Sequence, residues 1–247
     1  TEVRILNRNN PHGNFETLIP REKGVEYYVY LHDNDYYVLS NKDAPNFKLM
    51  RLPIIGGNST VILPHREDTM LEDASMFQNH LALLERKNGR LQIRLFRINN
   101  GQWLSISMNE ALYSLYFSWN KDWYSTFVRV AFSSFITPYS VIDIDLMSGE
   151  QTLKKQDQVL GGYDPAEYTV TRLWAPTNDG QQIPLSILYR RNLTLMGKNN
   201  CILYGYGAYG ENYDPWFSSS IFSLVDRGLV FVRAHVRGSS YLGRRWY

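Results

Sequence analysis

The chain has 247 residues, 44% hydrophobic and 20% charged, the balance of an ordinary globular protein long enough to bury one large core or two smaller ones. Its net charge of +2 gives no basis for binding nucleic acid or an acidic membrane surface, and no apolar run approaches the ~18 residues that span a bilayer. The single cysteine, Cys201, excludes an internal disulfide framework and suits a reducing compartment.

Aromatics at 14%, with 18 tyrosines, favour β-rich structure. The opening Thr1-Glu2-Val3-Arg4 lacks the charged and apolar regions of a secretory signal, so a cytoplasmic location is expected. The first 150 or so residues repeat. Leu18-Ile19-Pro20-Arg21-Glu22 is echoed by Leu63-Pro64-His65-Arg66-Glu67, with Pro20 and Pro64 44 residues apart. The same offset places Tyr37-Val38-Leu39 on Leu81-Ala82-Leu83 and Leu49 on Ile93. A third, drifted copy carries Phe127 to Phe132 and Val141 to Asp145. Alternation in Leu91-Gln92-Ile93-Arg94-Leu95 and turn signals at Asn88-Gly89 and Ser148-Gly149 mark strands and hairpins. A period of about 40–50 residues made of short strands is the pattern of β-propeller blades, and on pattern alone a β-sandwich competes with it. About three blades are visible, fewer than the ~4–8 of a closed ring.

A polar connector with Gly161-Gly162 follows, and the domain boundary is placed there: residues 1–162 as a partial propeller, residues 163–247 as the start of a second domain. Tyr168 to Trp174 and Ile183 to Tyr189 alternate around Asn178-Asp179-Gly180, predicting a hairpin. Next come a buried strand at Cys201 to Leu203, a glycine–tyrosine loop from Tyr204 to Gly210, an amphipathic helix around Phe217 to Arg227 closed by Gly228, and a second apolar strand from Leu229 to Ala234. Strand, loop, helix, strand is the signature of a parallel sheet, and the loop falls at the carboxyl end of its strand, where such sheets place ligand sites.

Tyr204-Gly205-Tyr206-Gly207-Ala208-Tyr209-Gly210, Ser223-Leu224-Val225-Asp226-Arg227-Gly228 and Ala234-His235-Val236-Arg237-Gly238 through Trp246-Tyr247 resemble the prolyl oligopeptidase-type serine peptidases, and within them the oligopeptidase B group. Tyr163-Asp164-Pro165-Ala166-Glu167-Tyr168 and Pro64-His65-Arg66-Glu67-Asp68 look like the same family. The match runs in one order along essentially the whole chain. It implies β-propeller blades followed by the opening of an α/β-hydrolase domain, seen as a partial chain.

Site residues follow from the resemblance residue by residue. Tyr206 occupies the second tyrosine of the loop, which in such peptidases donates its hydroxyl to the oxyanion. Tyr209 stands where an aromatic lines the pocket for the side chain before the scissile bond; packing is the alternative. Asp214 matches the first member of an acidic pair around the subsites, but Trp216 stands in place of the second acid, and Asp214 before Pro215 equally suits a helix cap or an Asp-Pro turn. His235 precedes any nucleophile, the wrong order for the base of a hydrolase triad, so a structural role is expected, with Arg237 bracing the loop. Gly238-Ser239-Ser240-Tyr241-Leu242 nearly makes a nucleophile elbow but lacks the final glycine. The family has a glycine-rich turn ending in glutamate there, so serines at those positions are expected to be strained if φ must be positive.

The expected function is that of a serine endopeptidase acting on short peptides after Arg or Lys, with the serine, aspartate and histidine beyond Tyr247, so the chain by itself is expected to be inactive. No metal or organic cofactor, nucleic acid or membrane partner is expected. A propeller-based module that binds protein without catalysis is the alternative.

Overall fold

The computed structural model describes residues 1–247 and divides them into two compact units, 1–71 and 72–247. In the first, β1 (Val3–Ile5) pairs antiparallel with β2 (Glu16–Ile19). Then β3 (Tyr27–His32), β4 (Asp35–Ser40), β5 (Lys48–Pro53) and β6 (Thr60–Leu63) form a four-stranded antiparallel meander. Val25, Tyr27 and Val38 are buried there against Val29 and Met50. The side-chain amide of Asn46 donates to the carbonyls of Arg66 and Glu67, closing the segment that carries Pro64 to Asp68.

Two more meanders follow in chain order. One comprises β7 (Thr69–Met76), β8 (His80–Lys87), β9 (Arg90–Arg97) and β10 (Trp103–Ile106). The next comprises β11 (Tyr113–Phe117), β12 (Phe127–Ser134), β13 (Ser140–Asp145) and β14 (Gln151–Gln156). The repeat offset holds strand for strand: β4 and β8 are second strands, β5 and β9 third strands, and Pro20 and Pro64 directly follow β2 and β6. The drifted copy lies on β12 and β13, again second and third. Inward residues of the last two sheets, among them Leu84, Ile93, Leu95, Leu115, Val128 and Ile144, share one core. The Asn88-Gly89 pair turns β8 into β9 with both residues at positive φ (49° and 75°), the twist-matched geometry of a two-residue hairpin.

After β14, Asp164 accepts from the Ala166 amide at 2.9 Å and starts a short 3₁₀ turn at Pro165–Glu167. The hairpin of β15 (Tyr168–Pro176) and β16 (Gln182–Arg190) then pairs over nine positions. It is followed by β17 (Cys201–Gly205), α1 (Ser219–Val225) and β18 (Val230–Ala234), giving a mixed sheet in the order β15-β16-β18-β17 with β17 and β18 parallel. Phe222 and Val225 of α1 bury one face of it together with Tyr168, Leu188 and Phe231. Blade-like antiparallel sheets leading into a parallel crossover with a single short helix match the expected fold.

Three local expectations need correction. The strand β17 exists, but it is not buried: it forms the edge of the sheet, Cys201 is exposed and Leu203 is 67% exposed. The helix is two residues shorter at each end than its apolar pattern suggested, because Phe217 lies before the Ser218 N-cap and Gly228 (φ 87°) reverses the backbone after it. Asp214 caps nothing on α1.

The shared blade core sets an expected contrast. Ile93→Ala should cost about 2–5 kcal/mol in denaturant unfolding, whereas Leu153→Ala on the exposed strand β14 should stay within about 0.5 kcal/mol.

Candidate functional site

The loop from β17 is shaped by two glycines facing each other across the sheet end. A Cβ on Gly207 would stand inside 3.0 Å of the Arg237 carbonyl oxygen and of Val236, and one on Gly238 (φ 87°) inside 3.0 Å of the Gly207 carbonyl. Only glycine at both positions lets the loops following β17 and β18 run backbone to backbone. Gly210 N donates to Gly238 O at 2.9 Å and Ser240 N to Gly210 O at 3.1 Å, extending the parallel pairing beyond the strands.

Tyr206 projects from this loop half-buried, its ring 5.0 Å from that of Tyr213. Tyr213 also contacts Tyr204 and Trp216, each at 5.9 Å, so Tyr204 and Tyr206 share one aromatic cluster through it. Tyr209 is 82% exposed and adopts φ 58°, the left-handed region that a non-glycine residue rarely occupies.

Asp214 lies elsewhere, on the wall of a cavity of about 1020 Å³ lined by β7 and β8, by the sheet of β11 to β14 and by the segment leading into α1. Its carboxylate accepts both terminal nitrogens of Arg86, at 2.7 Å each, while the Arg86 Nε donates to Glu72. The Arg86 side chain is 2% exposed and that of Asp214 12%. Burial opposes the guanidinium charge; Asp214 and then Glu72 outweigh it and push its pKa well above the ordinary value. Asn212 also donates to Glu72, at 3.3 Å. Tyr206 and Tyr209 are not on this cavity wall, so the structure does not gather the three site residues in one pocket; Tyr213 links the two regions. Arg86 and Glu72 escaped the sequence reading, since no local pattern pairs a blade strand with a residue 128 positions later.

The near-elbow is closed. Ser239 and Ser240 are buried, and Ser239 Oγ donates to the Val236 carbonyl at 2.8 Å. Neither serine is strained: the positive φ falls on Gly238 and Gly243. His235 is buried too, 2.7 Å from Ser186 Oγ through Nε2 and stacked on Tyr241 with ring centroids 3.6 Å apart. Burial, with Arg172, Arg86 and Arg233 nearby, lowers its pKa to about 2, so the ring stays neutral. Arg237 pairs with Asp179 of the β15–β16 turn.

Residues 1–157 match the family described as prolyl oligopeptidase, N-terminal β-propeller domain. Among curated proteins the chain is similar to dipeptidyl aminopeptidase BI of Pseudoxanthomonas mexicana, 33% identical over 252 residues that cover 100% of this chain and 34% of that protein. It is similar also to protease 2 of Moraxella lacunata, 31% identical over 248 residues, covering 100% and 36%. Among solved structures it is similar to oligopeptidase B from Leishmania major, with a TM-score of 0.93, 33% identity and coverage of 100% of this chain and 36% of that one. Oligopeptidase B from Trypanosoma brucei, in a closed form with covalently bound antipain, gives a TM-score of 0.91, 32% identity and coverage of 100% and 37%. The chain thus spans about a third of the length of the relatives it matches.

His235 gives stability a pH dependence of fixed sign. Below about pH 6.5 the unfolded chain takes up a proton at this ring that the folded chain refuses, so stability falls as pH drops through that value. The loss is at most about 1.4 kcal/mol per pH unit. Urea midpoints between about pH 7 and 5 should fall more steeply for the wild type than for His235→Gln; parallel curves would place the sensitivity elsewhere.

Proposed function

The chain belongs to the prolyl oligopeptidase family, and from that membership we propose that it forms part of a cytoplasmic serine peptidase that hydrolyses short peptides on the carboxyl side of Arg or Lys. Residues 1–162 supply propeller blades and residues 163–247 open the α/β-hydrolase domain. The serine, aspartate and histidine of the triad lie outside these residues. Two observations support that: the serines nearest to an elbow are buried with Ser239 bonded to backbone, and Ser186, the serine that does meet His235, is buried together with it, out of reach of a substrate carbonyl. No cofactor is invoked. The short peptide is the only partner required.

One observation carries the assignment of Tyr206: its loop is locked by the Gly207–Gly238 approach and leaves the carboxyl end of the parallel strand β17, the side on which open α/β sheets bind their ligands. When a nucleophile attacks an amide, negative charge grows on the carbonyl oxygen. A hydroxyl fixed beforehand at that point binds the transition state more strongly than the substrate, a contribution of roughly 3–4 kcal/mol. Tyr209, projecting from the same loop, is assigned to the wall of the pocket for the side chain before the scissile bond. Asp214 is assigned to the wall of the subsite for the substrate's basic residue. Its carboxylate is shared with Arg86, which weakens it as an independent anchor and argues against selection for two consecutive basic residues.

In the full-length protein, Tyr206→Phe should lower kcat by about 10- to 1,000-fold with little change in KM, because the lost hydroxyl acts on the transition state. Tyr204→Phe should do much less. Equal losses in both variants, or a raised KM with kcat untouched, would remove Tyr206 from the oxyanion role. Reporters ending in Arg, Lys, Ala and Pro amides test the substrate class, and a kcat/KM no higher for Arg and Lys than for Ala would overturn it.

A further inference from the structure

We propose that Tyr241 is a positioning residue for Tyr206, seating the loop that carries it on the Asn88-Gly89 turn of the blade formed by β7 to β10. The proposal rests on the oxyanion role given to Tyr206 above.

The contact is a fitted one. Gly89 has no side chain, and that vacancy is where the Tyr241 ring lies: a Cβ on Gly89 would stand inside 3.0 Å of two ring carbons. The ring also stacks on His235, with an interplanar angle of 11°. Arg172 of β15 binds both partners at once. Its Nη1 donates to the Asn88 carbonyl and its Nη2 to the Gly89 carbonyl, each at 3.3 Å, and Nη2 also donates to the Tyr241 hydroxyl. The Arg86 guanidinium lies 5.1 Å from the ring centroid. Tyr241 is 1% exposed, so its ring has no room to move without moving these neighbours.

From Tyr241 the connection to Tyr206 is short and made of backbone. Tyr241 belongs to the loop that starts at Gly238, and Gly238 sits against Gly207, the residue following Tyr206. Gly238 O accepts from Gly210 N, and Gly210 O accepts from Ser240 N, the residue before Tyr241. Backbone hydrogen bonds and glycine-to-glycine contact transmit displacement with little slack, whereas a long flexible side chain at position 241 would absorb it. Where the resembling family carries a glutamate, this chain places a rigid ring that reads the position of the blade turn. The blade thereby becomes a datum for the hydroxyl that meets the oxyanion.

The test is a mutant cycle in the full-length protein, read as kcat and KM on an arginyl amide reporter. Gly89→Ala forces a Cβ into the ring. Gly101→Ala is its control, because Gly101 has a similar positive φ (72°) in the β9–β10 turn but nothing within 4 Å of the added carbon. Gly89→Ala should lower kcat by about 2- to 30-fold with KM nearly unchanged, and Gly101→Ala should leave both alone. In a Tyr206→Phe background the Gly89→Ala loss should disappear, since the group being positioned is gone. Tyr241→Phe keeps the ring and its fit but deletes the Arg172 hydrogen bond; it should give a smaller loss that vanishes in the same background, and it serves if Gly89→Ala does not fold. Losses that multiply in full with Tyr206→Phe, or Gly89→Ala matching Gly101→Ala, overturn the positioning role alone. A Tyr206→Phe variant with unchanged kcat overturns the oxyanion assignment and the positioning role with it.

Discussion

Arg86 is the charge around which the second compact unit is organised. A guanidinium so deeply buried is tolerated only when its donors are matched by acceptors, and here Asp214 takes two nitrogens while Glu72 takes the third. Glu72 and Arg86 lie on adjacent blade strands; Asp214 lies on the segment leading into α1. The fork fixes where that segment crosses the blade, and Arg233 secures it from the other side by donating to the Asp214 carbonyl at 2.6 Å. Lysine could not take the place of Arg86, because a single ammonium cannot address two carboxylates in a planar, bidentate way.

Positive charge exceeds negative in this region, and its neighbours bear the consequences. Three buried or largely buried arginines (86, 172 and 233) face two carboxylates. Burial lowers Arg172 and brings Arg233 down to about 10. Arg233 compensates with π density: its guanidinium carbon sits 3.7 Å from the centroid of Trp216, with Phe135 at 5.5 Å. Trp216 stands where the family resemblance implies a second acid. In this chain the residue serves the protein's own arginine rather than a cation arriving with a substrate.

The blades and the crossover were legible in sequence because both are local patterns. The 44-residue offset marks equivalent strands, and the Asn88-Gly89 and Asn178-Asp179-Gly180 signals sit at real turns. Burial of β17 was misread because an apolar tripeptide does not tell whether the strand lies inside a sheet or on its edge. The ionic fork was invisible because its partners come from distant stretches, although Glu85-Arg86 at the end of the apolar run in β8 was a hint that charge was being taken inside. Tyr206 could be placed on its loop from glycine spacing and resemblance together. The packing of Tyr241 could not: departure from a family pattern reveals that something has changed, not which neighbour changed with it.

Gly89 and Tyr241 fill one volume between them, and that has an evolutionary consequence. Neither position is free to drift alone, since any side chain at 89 collides with the ring and any smaller residue at 241 leaves a void beside the Asn88-Gly89 turn. Across homologues the two positions should therefore covary, with a bulkier residue in the blade turn accompanied by a slimmer one after the second strand of the crossover. Such a pair ties the divergence of the propeller to that of the hydrolase part, so that exchanging blades between relatives would transplant a mismatch unless position 241 travelled with them.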